Sequence, residues 1–282
     1  MDIFKLYSHP SVSNNILIKN INKVIIGLRK QKILKCWYFI RYNDTGTHLR
    51  VRLRIDKNNI AKVIQYFEKN IRSDFEKGSV NNLLLDTYKR EIERYGAYTI
   101  EHAEKAFEAS SDLVVNFLRK TTKIQSGYSE LHLALLTANV LLEVFLTPGA
   151  GFIKLLKLIH EGMKHEFEDN KSVKLQLDNK YREYSTFINT MTADKHTIIF
   201  IAGKKELFNY IKALTQLKSK TVVFTEEKRN KMVADLLHMH LNRVFTENHR
   251  KQEFIIYYLL YKYHLSLEAR KIKTSSLLPI TS

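Results

Sequence analysis

The apolar positions of this chain follow a period of two in four short stretches near its start and a period of 3.6 over most of the remainder. Residues 3–7 read as a short strand, and Leu17, Ile18, Ile21, Val24, Ile25 and Leu28 then recur at helical spacing, marking an amphipathic helix over 15–28. Residues 33–43, rich in β-branched and aromatic side chains, predict a second strand, and Asp44-Thr45-Gly46-Thr47 predicts a turn. The run His48-Leu49-Arg50-Val51-Arg52-Leu53-Arg54-Ile55 alternates strictly, so the two stretches predict a hairpin. Ile60, Val63, Ile64, Phe67 and Ile71 mark a helix expected to cover the aliphatic face of that hairpin, with Gly78 as its stop. Residues 80–90 predict a further strand, and Gly96 closes the segment after it.

From Thr99 onward the helical period dominates, through Ile100, Ala103, Phe107, Val114 and Phe117 and then around 128–146, 151–167, 178–191, 204–217 and 226–246. Thr147-Pro148-Gly149-Ala150-Gly151 is the plainest interhelical turn. A strand pattern returns at 197–201 as an addition to the sheet. The pattern predicts an α+β fold: a small antiparallel or mixed sheet formed mainly in the N-terminal third, packed with a predominantly helical C-terminal region. With no low-complexity linker and no solenoid repeat, residues 1–282 read as one unit, with a sheet-containing part over 1–96, a mainly helical part over 97–270 and a tail over 271–282.

Composition narrows the setting. One cysteine, Cys36, in 282 residues precludes an intrachain disulfide, and no Cys/His cluster suggests a structural zinc, which favours a reducing, cytoplasmic location. The first residues lack the basic segment and apolar run of a signal peptide. The longest apolar stretch, 131–146, is broken by His132, Asn139 and Glu143 and falls short of the roughly 20 residues that span a bilayer, so it reads as a buried core helix and no membrane span is expected. The 46 Lys and Arg against 29 Asp and Glu give a net charge of +17, a field that attracts polyanions or acidic peptides, although a lysine-rich solvated surface gives the same sum.

Three constellations carry candidate chemistry. In the hairpin, alternation sends His48, Arg50, Arg52 and Arg54 to one face over about 13 Å. Arginine's planar fork suits a carboxylate or phosphate, whereas a solvated strand paired with acids is the plain alternative. Arg41, with Trp37 and Phe39 on the partner strand, strengthens the anion-site reading. The second constellation is Tyr88-Lys89-Arg90-Glu91-Ile92-Glu93-Arg94-Tyr95-Gly96, beyond a strand end, where a helical turn makes Glu91 and Arg94 neighbours at i and i+3. The third is Leu237-His238-Met239-His240-Leu241-Asn242-Arg243, late in a helix. Its histidines lie about 200° apart, so they cannot share a metal ion. His240 falls within the stripe of Val233, Leu236, Leu237, Leu241 and Val244 and reads as a core histidine, whereas His238 points away, with Asp235 and Asn242 placed to orient its ring. His238 is thus the better general acid or base. No glycine-rich phosphate loop and no Gly-x-Ser-x-Gly elbow is present.

These constellations, together with Trp37 to Tyr42 ahead of the arginine strand and Phe107 to Leu113 between the second and third, occur in an order and spacing that resembles the glutamate-elimination domain of class I lanthipeptide dehydratases. That domain also occurs as stand-alone thiopeptide-type bacteriocin biosynthesis proteins. The resemblance covers most of the chain. It implies a carbon–oxygen lyase: a Ser or Thr of a precursor peptide, esterified with glutamate by a separate glutamyl-tRNA-dependent subunit, loses glutamate by β-elimination to leave dehydroalanine or dehydrobutyrine. Arg50 or Arg52, together with Arg94, would bind the glutamyl carboxylates, Glu91 would position groups or shuttle a proton, and His238 would transfer protons, with the division between Glu91 and His238 open. His48, Arg54, Tyr88, Arg90, Asn242 and Arg243 would bind substrate. No metal or organic cofactor is implied, and tRNA contact would come only through the partner. Ala97 and Ser110 depart from the pattern, which keeps a pyridine-forming cycloaddition enzyme of the same fold beside elimination, and the +17 charge keeps a noncatalytic basic partner for peptide or tRNA docking.

Overall fold

The structure is a computed structural model that describes residues 2–44, 46–122, 127–167, 170–191 and 193–276. Four strands, β1 (Asp2–Tyr7), β2 (Cys36–Asn43), β3 (Thr47–Arg54) and β4 (Asn82–Thr87), form one antiparallel sheet in the order β2-β3-β1-β4. The β2–β3 hairpin is the predicted one, although Thr45 of its turn lies outside the described residues. Opposed residues of a sheet share a face, and the register sets Tyr38 against Arg52, Ile40 against Arg50 and Tyr42 against His48. From β1, Ile3 and Lys5 join that polar face opposite Arg52 and Arg50. Arg41 pairs with Leu49 and Phe39 with Val51, so Arg41 lies on the aliphatic face and not with the other arginines as expected. A one-residue difference in register reverses every side chain, and the sequence alone did not supply the pairing.

The aliphatic face is buried beneath a continuous helical run, α1 (Pro10–Ile16), a π turn (Leu17–Ile21) and α2 (Asn22–Lys30), whose Leu17, Ile21, Val24, Ile25 and Leu28 are the stripe read from sequence. Helix α3 (Ile60–Glu76) reaches this layer too, but Phe67 stacks on Phe4 of β1, centroids 4.0 Å apart, and not on the hairpin, because β1 enters the sheet beside β3. A single turn, α4 (Ile92–Tyr95), ends at Gly96, whose φ of +82° suits a residue without a Cβ. Helix α5 (Ile100–Thr121) then lies along the outer edge of β2. Ser111 Oγ accepts from Phe39 N–H at 3.3 Å and Asp112 accepts from Trp37 Nε1 at 3.0 Å, so this edge has partners.

Helices α6 (Glu130–Phe145), α7 (Ala150–Met163), α8 (Lys171–Thr190), α9 (Lys195–Ala202), α10 (Lys204–Ser219), α11 (Glu226–Val244) and α12 (His249–Ser276) complete the order. The core is continuous from the sheet into these helices, and α6 is nearly enclosed, as the apolar stretch 131–146 predicts. Three expectations require correction. Residues 197–201 are helical: Asp194 accepts from the N–H groups of His196 and Thr197, and Gly203, φ +83°, ends the helix, so capping decides a run too short for its period to do so. Helix α8 begins at Lys171, seven residues before the predicted start, because Asn170 caps it. The chain from 271 is not a tail at first, since α12 continues to Ser276; residues 277–282 lie outside the described ones. This last helix was not delimited from sequence because its apolar residues surround the axis and leave no single stripe. Among the described residues no helix is long and apolar enough to cross a membrane.

Candidate active site

On the polar face of the sheet the arginines of β3 separate. Arg50, towards the hairpin turn, stacks on Tyr42 at 3.6 Å, donates from Nη2 to Asp44 at 2.6 Å and from Nε to His48 Nε2 at 2.9 Å. His48 therefore carries its proton on Nδ1, which donates to Gly46 O at 2.8 Å. Burial holds that imidazole below its ordinary pKa, with the Arg50 charge acting the same way, so His48 stays neutral beneath a cation. At the far end Arg54 meets Glu101 at 3.0 Å, and Arg90 grips the same acid and the buried Glu104, the latter at 2.7 Å. The acidic partners expected of a charged strand exist, but they come from the hairpin turn, α5 and the segment before α4.

Between these ends lies Arg52. Its side chain is enclosed by Tyr38, which accepts from Nη1 at 3.2 Å, and by Tyr88, whose ring centroid is 4.5 Å from the guanidinium carbon. Burial opposes its charge, but Tyr38, Tyr88 and Glu91 outweigh that and hold its pKa above the ordinary value. Its Nε is buried without a partner among the described residues. Glu91 lies 3.5 Å from Arg52 and 2.9 Å from Arg94, and Arg94 reaches 3.6 Å to Asp235 of α11. Arg52, Glu91, Arg94 and Asp235 thus form a row of alternating charge beside a cleft of about 550 Å³ lined by residues 89–94. The turn of α4 sets the Glu91–Arg94 spacing, as the i, i+3 reading anticipated. Burial raises the Asp235 pKa, with Arg94 opposing it, and one Asp235 oxygen is buried and unbonded.

Asp235 also lines a second cleft, about 340 Å³, that holds His238, Arg250 and Tyr257. Here His238 Nδ1 meets Glu253 Oε1 at 2.5 Å, and Glu253, fully buried, receives Arg250 on its other oxygen at 2.8 Å. The His238 side chain stays 38% exposed, and its Nε2 has no hydrogen-bond partner among the described residues. A base backed by a buried carboxylate, with its other nitrogen open, is the arrangement a proton-transfer group requires. Its orienting partner comes from α12. Asn242, expected to orient His238, instead bonds both ways with the backbone of Arg41 at 2.9 Å and so completes the ladder of an edge strand. Glu253 was missed because nothing near His238 in the sequence points to a residue fifteen positions later on another helix.

Other predicted groups lie deeper. His240 is enclosed: Thr137 donates its own proton to Leu133 O, so it accepts from Nε2 at 2.6 Å, and Ser110 donates to Nδ1 at 2.8 Å. Burial, helped by Arg243, drives its pKa down to about 3. Arg243 is wholly buried against Phe107 and Tyr38, its guanidinium carbon 4.7 and 5.6 Å from their centroids. It donates from Nη1 to Met239 O, and burial lowers its pKa to about 10. Arg41 is likewise buried, held by Ser13, Asn14 and Arg243 O. Burial pushes the Cys36 thiol up to about 12, which removes it as a nucleophile. Among the described residues no three His, Cys, Asp or Glu side chains gather as a metal site.

With this geometry in place, comparisons locate the chain among known proteins. The family model described as lantibiotic biosynthesis dehydratase C-term matches residues 3–264. The chain is 25% identical over 278 residues to the nisin biosynthesis protein NisB of Lactococcus lactis subsp. lactis, covering 95% of this chain and 26% of that protein. It is 22% identical over 244 residues to the epidermin biosynthesis protein EpiB of Staphylococcus epidermidis, covering 82% and 22%. It therefore spans about a quarter of the length of these curated relatives. Its fold is similar to that of the tRNA-dependent lantibiotic dehydratase MibB from Microbispora sp. 107891, TM-score 0.77 at 18% identity over 96% of this chain and 28% of that one. It is also similar to the pyridine synthase TbtD from thiomuracin biosynthesis, TM-score 0.68 at 12% identity over 95% and 98%.

Proposed function

The chain belongs to the lantibiotic biosynthesis dehydratase C-terminal family, and on that premise we propose that it is a lyase that eliminates glutamate from glutamylated Ser or Thr of a precursor peptide. The observation that carries this reading is the row Arg52–Glu91–Arg94–Asp235 leading to the His238–Glu253 pair. The step removes the Cα proton, breaks the Cβ–O bond and releases glutamate as a carboxylate, leaving a Cα=Cβ double bond. It needs one base, donors for the developing enolate and cations for the departing acid. His238 serves as the base through Nε2, with Glu253 stabilising the imidazolium that forms. Glu91, flanked by two arginines, holds Arg52 and Arg94 in place until the glutamyl carboxylates exchange with it. Arg50, already engaged by Asp44, Tyr42 and His48, buttresses the hairpin and meets substrate less directly. In this reading a glutamyl-tRNA-dependent partner makes the glutamyl ester.

Mass spectrometry of a precursor peptide bearing a synthetic Ser-glutamyl ester tests the proposal. Wild type is expected to convert it to dehydroalanine, and Arg94→Ala to slow conversion by about 10²–10³-fold. An unreacted ester with wild type, peptide binding having been verified, overturns it. The fold is similar to that of a pyridine synthase, and the same assay separates elimination from cycloaddition. A cycloaddition enzyme would be inert on the ester and active on a peptide already carrying dehydroamino acids.

A further inference from the structure

Arg243 is a wholly buried cation, and among the described residues no carboxylate pairs with it. Nη1 donates to Met239 O, and the rings of Phe107 and Tyr38 lie 4.7 and 5.6 Å from the guanidinium carbon. The charged side chain that acts on it most strongly is Arg52, a second cation. With its pKa at about 10, Arg243 still carries its proton at neutral pH. Its Nε and Nη2 have no hydrogen-bond partner among the described residues, and neither has the buried hydroxyl of Tyr210. Burial pushes that hydroxyl above its ordinary pKa, so it is a neutral donor and not a counter-charge. His240, stacked on the Tyr210 ring with centroids 5.2 Å apart, has given both nitrogens to Ser110 and Thr137.

Arg243, Tyr210 and His240 line one void of about 10 Å³ where α5, α6, α10 and α11 meet, and every residue of its lining is buried. We propose that this void is a site for one monovalent anion the size of chloride, held by Arg243 and the Tyr210 hydroxyl. Such a volume takes a single water-sized occupant, which excludes carboxylates, phosphate and sulfate. Charge then decides between a halide and a water. A water would accept hydrogen bonds from the open donors but leave the guanidinium unpaired in a medium of low dielectric, whereas an anion answers both needs. The nitrogens left open on Arg243 can only donate, which suits a ligand that can only accept. Bound here, the ion ties Tyr210 of α10 to Arg243 of α11, on the side of α11 away from His238, so the site stands whether or not the elimination reading holds.

The test is a chloride titration of the full chain, refolded without halide, in which sodium chloride replaces sodium gluconate at constant ionic strength. Wild type is expected to gain about 3 °C in melting temperature for each tenfold rise in chloride above its Kd. Tyr210→Phe keeps the ring against His240 and removes one donor, and should need about tenfold more chloride for the same gain. That difference separates occupancy of the site from a general effect of salt. Arg243→Met should lose the dependence altogether, and if it fails to fold, the other two proteins decide. Crystals grown from wild type refolded in sodium bromide give an independent readout: a bromine anomalous peak is expected between the Arg243 guanidinium and the Tyr210 hydroxyl. The same chloride response in wild type and Tyr210→Phe overturns the proposal. So do bromine peaks confined to the protein surface, with an ordered water between Arg243 and Tyr210, which would make this a hydration site.

Discussion

Either side of α11 presents a histidine with an arginine nearby, but the groups on the two sides differ in what they have left to offer. On the cleft side, Asp235 and His238 face Arg94, Glu253 and Arg250, all but Glu253 at least partly open to solvent, and His238 keeps one ring nitrogen free of any described partner. On the core side, His240 and Arg243 are closed in by Ser110, Thr137, Phe107, Tyr38 and Tyr210, and both His240 nitrogens are committed. Complete burial raises the cost of an unpaired polar group, and the His240 ring meets it by committing both nitrogens, whereas a half-exposed group can trade its partner for a ligand. Two histidines only two residues apart thus become a half-exposed group with one nitrogen open and a packing group.

The contrast breaks most visibly under exchange of the two rings. His238→Ala is expected to cut elimination by about 10²–10⁴-fold with the melting temperature nearly unchanged, while His240→Ala should cost about 2–4 kcal/mol of stability by leaving the Ser110 and Thr137 hydroxyls against a void. Ester turnover and urea denaturation on both variants check this, and a His240 variant that folds normally but is inert would reverse the assignment.

A smaller effect, on acidification, sharpens it. The His240 pKa is held at about 3 in the folded chain against an ordinary 6.5. Below about pH 6.5 the unfolded chain takes up a proton that the folded one refuses, so stability is lost as pH falls from there towards 3. At pH 5 the loss is about 2 kcal/mol relative to pH 7.5, read as a shift in denaturation midpoint. His240→Gln should lack that part of the slope.

The smallest effect concerns Glu253. Glu253→Gln keeps the shape and a hydrogen bond to His238 Nδ1 but removes the charge behind it, and should lower kcat by roughly tenfold while KM for the peptide stays the same. A fall in KM and kcat together, or a matching loss of stability, would assign Glu253 to structure alone.

Much of this architecture is legible in local pattern. The hairpin, the stripe beneath the sheet, the enclosed helix α6 and the split between His238 and His240 follow from periodicity, because an alternating strand has two faces and a helix turns 100° per residue. The Glu91–Arg94 pair follows from one helical turn. Residues 197–201 resisted reading because five apolar residues fit either period, and α12 because a helix surrounded by protein carries no polar face to mark it. What the tertiary structure decided is which distant groups meet. Insertion of β1 beside β3, together with the register, sent Arg41 away from Arg50 and Arg52, and three arginines that look equivalent along β3 were distributed to Asp44, Glu91 and the Glu101–Glu104 pair. Glu253 reached His238, and Asn242 was drawn to the edge of β2, only through helix packing. Local sequence sets the direction in which a side chain leaves the backbone, whereas the partner it finds depends on contacts closed across long loops, and no short-range pattern encodes those.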